Sequence, residues 1–461
     1  MIRKFLRKVF NRTSTVLAST AVPDTIPFKQ HGIRRNQITP CALKTAMQIQ
    51  QAGYSAYIVG GAVRDLLLGL TPKDFDIATN ATPEEVHKIF RRSRIIGRRF
   101  RLVHVMCGAE IIEVSTFRGN TPSNDEDESF TQTDEHGRLL NDNVFGNQEE
   151  DAVRRDFTVN ALYYDPAREE ILDYLQGYED IRTKTLRIIG DPTQRYREDP
   201  VRLLRAVRLA CKLQMRIDTA TAHPIADLAP LLQNVPPSRL FDEMLKLLLS
   251  GHALSCVVEL RSQGLHHGLL PMLDVILEQP LGERFITIAL KNTDGRIRQN
   301  KPVSPAFLFA ILLWHEVLSS WNTLQAKGEK PMPALFDAID KVLSLQHEKL
   351  AIPRRFDATI QEIWSMQPRF EIRIGRKPFR LITHPRFRAA YDFMLLRCES
   401  GELSPELGEW WKAFLTSDAE KREKMLSTQG PTQKKRKRRT RKKSAAPTTG
   451  GTETPIQSEQ S

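Results

Sequence analysis

The sequence has no apolar run approaching the roughly 18 residues that a membrane-spanning helix needs, so an integral membrane helix is excluded. Cysteine is scarce. Cys41, Cys107, Cys211, Cys256 and Cys398 are odd in number and widely scattered, which gives neither a disulfide framework nor a zinc spacing and fits a reducing cytoplasm. His266, His267 and His315 lack partner ligands at metal spacing and read as satisfied or surface histidines. No repeat of fixed period is present. The N-terminus, MIRKFLRKVFNR, has no long apolar core and no small-residue cleavage site, so it is not a secretory signal. Its alternation of basic residues with Phe5, Leu6, Val9 and Phe10 is a short amphipathic pattern. Three readings of it stay open: a peripheral contact at the inner face of a membrane, a partner helix, or a frayed terminus.

At 461 residues the chain exceeds a single hydrophobic core, and two to four domains are expected. Strand-like patterns concentrate before Ile189, and helical patterns such as Leu240–Leu249 (LFDEMLKLLL) follow. The expected fold class is α+β, with an α/β head at 39–165 behind a flexible basic segment at 1–38, a helical neck at 166–250 and a helical body at 251–427. The formal charge of +13 is unevenly placed. Residues 434–443, KKRKRRTRKK, hold nine basic groups and no acid, and the tail beyond them has almost no large apolar residue and should be disordered. Lys434, Lys435, Arg436, Lys437, Arg438 and Arg439, with Arg441, Lys442 and Lys443, can neutralise RNA phosphates and release counterions; the other reading is a solubilising tail. The basic stretch Arg91–Arg101 could extend that track, or pair with the acidic Asp125–Glu128.

The densest chemistry lies in Val59–Ile77, VGGAVRDLLLGLTPKDFDI. Ser55–Val59 reads as a buried strand running into Gly60–Gly61, and Ala62–Leu68 as a helix. A strand, two glycines and a helix start aim backbone N–H groups at an anion, within reach of Arg64. The plainer reading is an ordinary turn. Phe75–Ala78 reads as a short strand, which puts Asp74 and Asp76 on one face about 7 Å apart at roughly 3.3 Å per residue. Two carboxylates so placed can share divalent cations, Mg²⁺ above all, for an in-line displacement at phosphorus. The alternative is a turn with solvated aspartates. In Glu110–Phe117 (EIIEVSTF) an acid, Glu113, falls mid-strand and is either a third site carboxylate or an edge residue facing water.

GGAVRD at 60–65, KDFD at 73–76, RRDFTVNAL at Arg154–Leu162 and REDPVRLLRAVRLA at Arg197–Ala210 together resemble the class II nucleotidyltransferases, the family of bacterial poly(A) polymerases and tRNA CCA-adding enzymes. The resemblance covers roughly residues 30–400. Ile95–Met106 and Asn141–Gly146 look like the segments that favour poly(A) addition. The resemblance implies a metal pair at Asp74 and Asp76, with Mg²⁺ as the natural ion and Mn²⁺ as substitute. It puts Gly60, Gly61 and Arg64 at the triphosphate and Arg155 and Asn160 at the nucleotide, and leaves Asp156 to compete with Glu113 as the third acid. It further implies nucleotide and RNA recognition by the neck at 166–250, RNA binding by the body at 251–427 ahead of a disordered basic tail at 428–461, and ATP and RNA 3′ ends as substrates, with RNA-decay and RNA-chaperone proteins as partners.

Read from the residues, Asp199 is a good N-cap and Pro200 suits the first helical position. Arg202, Arg205 and Arg208 then recur every three residues as neighbouring forked donors, able to hold phosphate or a base edge, or simply to solvate a helix. The family uses this helix for the incoming nucleotide. The expected reaction is template-independent addition of AMP to RNA 3′ ends in the service of RNA processing and decay, with CCA addition as the rival.

Overall fold

A computed structural model of the chain describes residues 22–97, 101–119, 145–265, 280–350 and 352–427. The amphipathic residues 1–12, Asp125–Glu128, His266–His267 and the basic run 434–443 with its tail lie outside the described residues, and so do the expectations attached to them.

The α+β class holds. An eight-stranded sheet forms the head, in the order β1-β8-β7-β2-β3-β6-β5-β4. The strands are β1 (Asp24–Pro27), β2 (Ala56–Val59), β3 (Asp76–Thr79), β4 (Ser93–Ile96), β5 (Leu102–Cys107), β6 (Glu110–Thr116), β7 (Leu162–Asp165) and β8 (Glu170–Asp173). Neighbours pair antiparallel except β3 and β6, which run parallel. The alternation expected of EIIEVSTF is present: Ile112, Val114 and Thr116 are buried, while Ile111 and Glu113 are exposed. Helix α1 (Pro40–Gln51) covers the sheet with Cys41, Ala42, Thr45, Ala46 and Ile49; Thr39 caps it by accepting from the Ala42 N–H, and Pro40 opens it.

Three expectations need correction here. The sheet reaches past both expected boundaries, because β1 pairs with β8 (Asp24↔Asp173), so residues 24–38 belong to the head and not to a flexible segment. Cys41 and Cys107 form a disulfide between α1 and β5, contrary to the reading of the cysteines as unpaired. The fold brings together two cysteines 66 residues apart, which spacing along the chain cannot show. His315 is neither satisfied nor on the surface: it is buried against Phe285, and neither ring nitrogen has a hydrogen-bond partner among the described residues.

Beyond β8 the described chain is almost entirely helical; after Ile189 the one strand is Arg216–Ile217, paired with Thr185–Leu186. The helices that matter below are α2 (Gly61–Leu67), α3 (Gln148–Arg154), α4 (Pro192–Glu198), α5 (Val201–Leu213), α6 (Pro237–Leu248), α7 (Lys377–Ile382), α8 (Phe387–Ser400), α9 (Pro405–Thr416) and α10 (Ala419–Ser427); α1 precedes them. One apolar core runs from the sheet through α5 and α6 into the helices of 285–364. A second core gathers Met366, Phe370, Phe387, Tyr391, Trp411 and Phe414 under the C-terminal helices. No helix of the described residues is long and apolar enough to cross a membrane.

Candidate active site

The two central strands end at the site. β2 stops at Val59, and Gly60 turns the chain with φ +71 into α2. Only glycine holds that conformation without strain, and a Cβ there would also stand 3.3 Å from Nη1 of Arg155. On the next strand Asp76 is paired with Val59 on one side and with Glu113 across the parallel β3/β6 ladder on the other. Phe75 and Ile77 are buried while Asp74 and Asp76 are exposed; β3 itself begins at Asp76, so Asp74 stands just ahead of the strand.

The expected carboxylate pair is thus brought together, with Glu113 at its side. Burial among protein atoms, with smaller contributions from Glu113 and Asp74, raises the Asp76 carboxyl to about 6 against the downward pull of Arg155. Its side chain is still open to solvent, as a substrate-facing acid must be. Glu113 contacts His104 of β5 at 3.3 Å, so the mid-strand acid has found a partner.

Around this acidic face lies a chain of polar contacts that joins head to neck. Arg64 is 6% exposed and does not open into the cleft. Its guanidinium holds Asp65 (Nη2 to Oδ1, 2.6 Å) and donates to Oδ1 of Asn160 (2.5 Å). The Asn160 amide in turn donates to Asp156 (2.9 Å), and the far oxygen of Asp156 meets Arg205 of α5 at 2.6 Å. Burial alone would raise the Asp156 carboxyl, but Arg205, Asn160 and the Phe157 N–H outweigh it and hold the group low. A Cβ on Gly61 would stand 3.4 Å from Nη2 of Arg64, so the guanidinium that holds Asp65 and Asn160 also borders the glycine turn. The rivalry over the third acid also takes geometric form, since Glu113 stands beside Asp76 whereas Asp156 is committed to Arg205.

Arg155 is held differently. Asp151, one turn earlier on α3, accepts from its Nε and Nη2 (3.2 and 2.8 Å), and the Tyr163 hydroxyl bridges the two. Burial disfavours the Arg155 charge, yet Tyr163 and Asp151 more than compensate and raise its pKa.

The neck presents the arginine ladder of α5. Asp199 does not cap it: Pro200 holds the cap position, Asp199 ends α4, and its side chain turns to Arg239 of α6 (3.0 Å). The start of α5 is closed by the Asp199 backbone carbonyl, which accepts from the Arg202 N–H at 3.0 Å. The other carboxylate oxygen of Asp199, Oδ1, is buried without a partner. Arg202 uses Nη1 for Glu198 (3.1 Å) and the Arg195 carbonyl (2.7 Å). Arg208 faces Glu243 of α6 at 3.4 Å, and burial lowers its pKa. Each ladder arginine therefore has its own carboxylate, and none merely solvates the helix.

Asp65, Asp151, Tyr163, Arg195, Glu198, Arg239 and Glu243 escaped the sequence reading. Asp151 carried a signal, four residues before Arg155 on a helical pattern. Arg239 and Glu243 carried none, because they approach only through packing of α6 on α5. Among the described residues no group of three or more His, Cys, Asp or Glu stands close enough to hold a metal ion unaided.

Comparison with known proteins follows this geometry. The fold matches a Bacillus stearothermophilus CCA-adding enzyme solved in complex with CTP, with TM-score 0.55 and 27% identity over 85% of this chain and 83% of that one. An apo tRNA-processing enzyme shares the fold at TM-score 0.56 and 20% identity, over 86% and 98%. Fold and acidic strand pair together define a nucleotidyltransferase. Three family models match in order along the chain: the poly A polymerase head domain at 56–187, the probable RNA and SrmB-binding site of polymerase A at 214–277, and the polymerase A arginine-rich C-terminus at 327–444. Poly(A) polymerase I of Salmonella typhi is 45% identical over 92% of this chain and 94% of its own length, and that of Escherichia coli O6:H1 is 46% identical over the same shares. A CCA-adding enzyme of Geobacillus stearothermophilus is 39% identical but over 49% of this chain and 53% of its own. The chain belongs to the poly(A) polymerase family and is an enzyme of template-independent AMP addition to RNA 3′ ends. Enzymes of this kind use divalent metal ions.

Proposed function

We propose that this AMP transfer is centred on Asp74 and Asp76, with Glu113 as the third acid, and that the neck residues Asp199, Arg202 and Arg205 select ATP. The carrying observation is the parallel β3/β6 pair, which sets Glu113 beside Asp76; burial first, and the Glu113 charge after it, raise the Asp76 carboxyl to about 6. Three acids crowded on one face, with oxygen donors only, suit a hard cation such as Mg²⁺ or Mn²⁺, completed by water and the substrate triphosphate. Asp74 and Asp76 would hold it, and it would supply charge neutralisation at the attacking hydroxyl and the departing pyrophosphate.

The chain's own residues do the rest by position. The 3′-hydroxyl oxygen of the RNA bonds to the α-phosphorus of ATP as the bond to the pyrophosphate oxygen breaks. Glu113, or a water it holds, accepts the hydroxyl proton. The Gly60–Gly61 turn lets the triphosphate approach backbone N–H groups where a Cβ would intrude, and Arg155, locked by Asp151 and Tyr163, places a fixed positive charge beside it. In the neck, Arg239 holds one oxygen of Asp199 and leaves Oδ1 free to accept from the adenine amino group. Arg202 is steadied through Nη1 and offers its other N–H groups to the base, while Asp156 fixes the angle of Arg205. Arg208, paired to Glu243, supports that helix face. The cytoplasm supplies both ATP and RNA and is the compartment this reading entails.

Extension of a 5′-labelled unstructured RNA with each nucleoside triphosphate, beside a tRNA lacking its 3′ CCA, tests the reading. Long ladders with ATP alone are expected. CTP-dependent addition that stops after three nucleotides on the tRNA would overturn the assignment of the neck to ATP.

A further inference from the structure

The acid row of the active site does not stop at Glu113. Across the ladder of β3, β6, β5 and β4 the Cα partners run Asp76, Glu113, His104, Arg94, so one residue from each of four strands stands in line on the face that carries the acids. Arg94 and Glu113 are exposed, and His104 is half-buried. His104 lies within the Ile95–Met106 stretch. Its Nε2 is closed to solvent and has no hydrogen bond among the described residues; it faces Oε1 of Glu113 at 3.3 Å. A ring nitrogen withdrawn from water without a partner opposes folding, and a strand position between half-buried Leu102 and Met106 would be better served by Val or Thr. The acid beside it is what accounts for a histidine there.

The hairpin that carries this pair is fixed at its closed end. Cys107 is bonded to Cys41 of α1, and the Thr39 hydroxyl, at the N-cap of α1, donates to Oε1 of Glu110 at 2.6 Å. Cys107 and Glu110 are themselves partners across the β5/β6 turn, on the strands that carry His104 and Glu113. The two strands are thereby kept in register, and the imidazole meets the carboxylate from a rigid element. Glu113 needs such a hold. Its side chain is 54% exposed, and it shares its face with the repelling carboxylates of Asp76 and Asp74. Without a counterweight it would turn out to water. Nε2 of an imidazole can donate in the neutral as in the charged form, so it can anchor one carboxylate oxygen without the obligatory charge that Arg or Lys would bring to an acidic face. Oε2 is then the oxygen left for the attacking hydroxyl.

We propose that His104 is a positioning residue for the transfer: it holds Glu113 by Oε1, so that the free oxygen Oε2 takes the proton of the RNA 3′-hydroxyl, directly or through a water. The proposal rests on Glu113 being the third acid, and it adds what keeps that acid in place. As the proton passes to Glu113, the hydroxyl oxygen bonds to the α-phosphorus, and pyrophosphate leaves with the electron pair of the bond that breaks. His104 touches neither RNA nor ATP and gains or loses no proton in the step. At 3.3 Å its contact is longer than a charge-assisted hydrogen bond, as catalytic contacts are before substrate binds, and it is expected to shorten once RNA and ATP are in place.

The test is a mutant cycle on the full chain: His104→Leu, His104→Gln and Glu113→Gln, with each His104 variant also made in the Glu113→Gln background. Single-turnover extension of an RNA by ATP, the KM for ATP and RNA affinity are measured beside thermal unfolding. His104→Leu should slow the chemical step by roughly 10–100-fold, the scale of losing a group that orients a site ligand, with the KM for ATP and RNA affinity near wild type. His104→Gln keeps a donor at the place of Nε2 and should restore most of the rate. In the Glu113→Gln background neither His104 variant should slow the step further, because the effect passes through Glu113. An unchanged rate in His104→Leu would overturn the proposal, and so would full additive losses in the double variants, which a merely structural histidine would give. A Gln variant that unfolds at the wild-type temperature yet stays as slow as Leu would count equally against it. A further readout needs neither activity nor an apolar variant. In metal-free protein carrying isotope-labelled histidine, the His104 ring signal, identified by its loss in His104→Gln, should move in Glu113→Gln; an unmoved signal would contradict the contact even if His104→Leu failed to fold. Undiminished extension by Glu113→Gln would instead remove Glu113 as the third acid, and the proposal with it.

Discussion

The carboxylate-paired arginines of the neck and those of residues 369–380 carry the same guanidinium in opposite surroundings. In the neck, Arg195, Arg202, Arg205, Arg208 and Arg239 each meet a carboxylate, and Arg205 and Arg208 are further pressed by burial. Near α7, Arg369, Arg376, Lys377 and Arg380 are exposed and have no ion pair among the described residues, and Arg373 lies over the Trp410 ring. A donor fixed by a carboxylate and by packing has one direction in which to bond, which is what distinguishing one base edge from another requires. A free cation on an open rim has many directions and suits a backbone of any sequence. How the same side chain is held thus gives the neck directional donors and leaves the 369–380 surface with free charge.

The sharpest break is at the acids. Asp74→Asn or Asp76→Asn should cut extension by on the order of 10³-fold or more while leaving RNA affinity in place, as read by single-turnover extension beside a binding titration. Next comes the head–neck contact. Asp156→Ala leaves the Arg205 charge without its partner and should destabilise the protein by about 3–5 kcal/mol in denaturant unfolding. Asp156→Leu/Arg205→Met should recover most of that stability without recovering ATP use, because the lost function lies in the direction Arg205 points. Smaller still, Arg239→Gln frees Asp199 to rotate. The ratio of ATP to CTP incorporation should then fall by about ten-fold, the scale of one charge-assisted hydrogen bond, with extension of bound ATP little changed.

The smallest effect concerns pH. In metal-free protein the folded Asp76 carboxyl titrates at about 6 against an ordinary value of 3.8. Between those values the folded state holds more protons than the unfolded one, so this group's contribution lowers stability as pH rises from below 4 to above 6. Asp76→Asn should remove that component, visible as a higher melting temperature than wild type above pH 6 in chelator and convergence of the two at pH 4. Above pH 6 the ionised carboxylate should bind divalent cation more strongly, and proton release on titration checks the sign.

Local chemistry was the legible part of this molecule. The strand, glycine turn and aspartates of Val59–Ile77 were readable because period-two alternation and the need for positive φ act within a few residues. The mid-strand position of Glu113 was readable for the same reason, and its parallel pairing with Asp76 was not, since register across 37 residues depends on the whole sheet. Asp199 shows a local rule overridden: Pro200 could take either of two helix-start positions, and the pull of Arg239 from α6 decided between them. Arg64 was placed by motif at the phosphates, and its bond to Asn160, 96 residues further on, comes from packing that the motif does not show. The Cys41–Cys107 bond needed tertiary proximity, and the unpaired cations near α7 show only when each arginine's partners are known.

One paired measurement tests the separation directly: the KM for ATP and the affinity for long RNA, each determined for Arg202→Ala and for Arg369→Gln/Lys377→Gln/Arg380→Gln. The account predicts that the neck variant raises the KM for ATP and leaves RNA affinity near wild type, while the C-terminal variant does the reverse. If Arg202→Ala weakens RNA binding as much as ATP use, or if the C-terminal variant raises the KM for ATP, the two arginine sets do not divide the labour as their surroundings indicate.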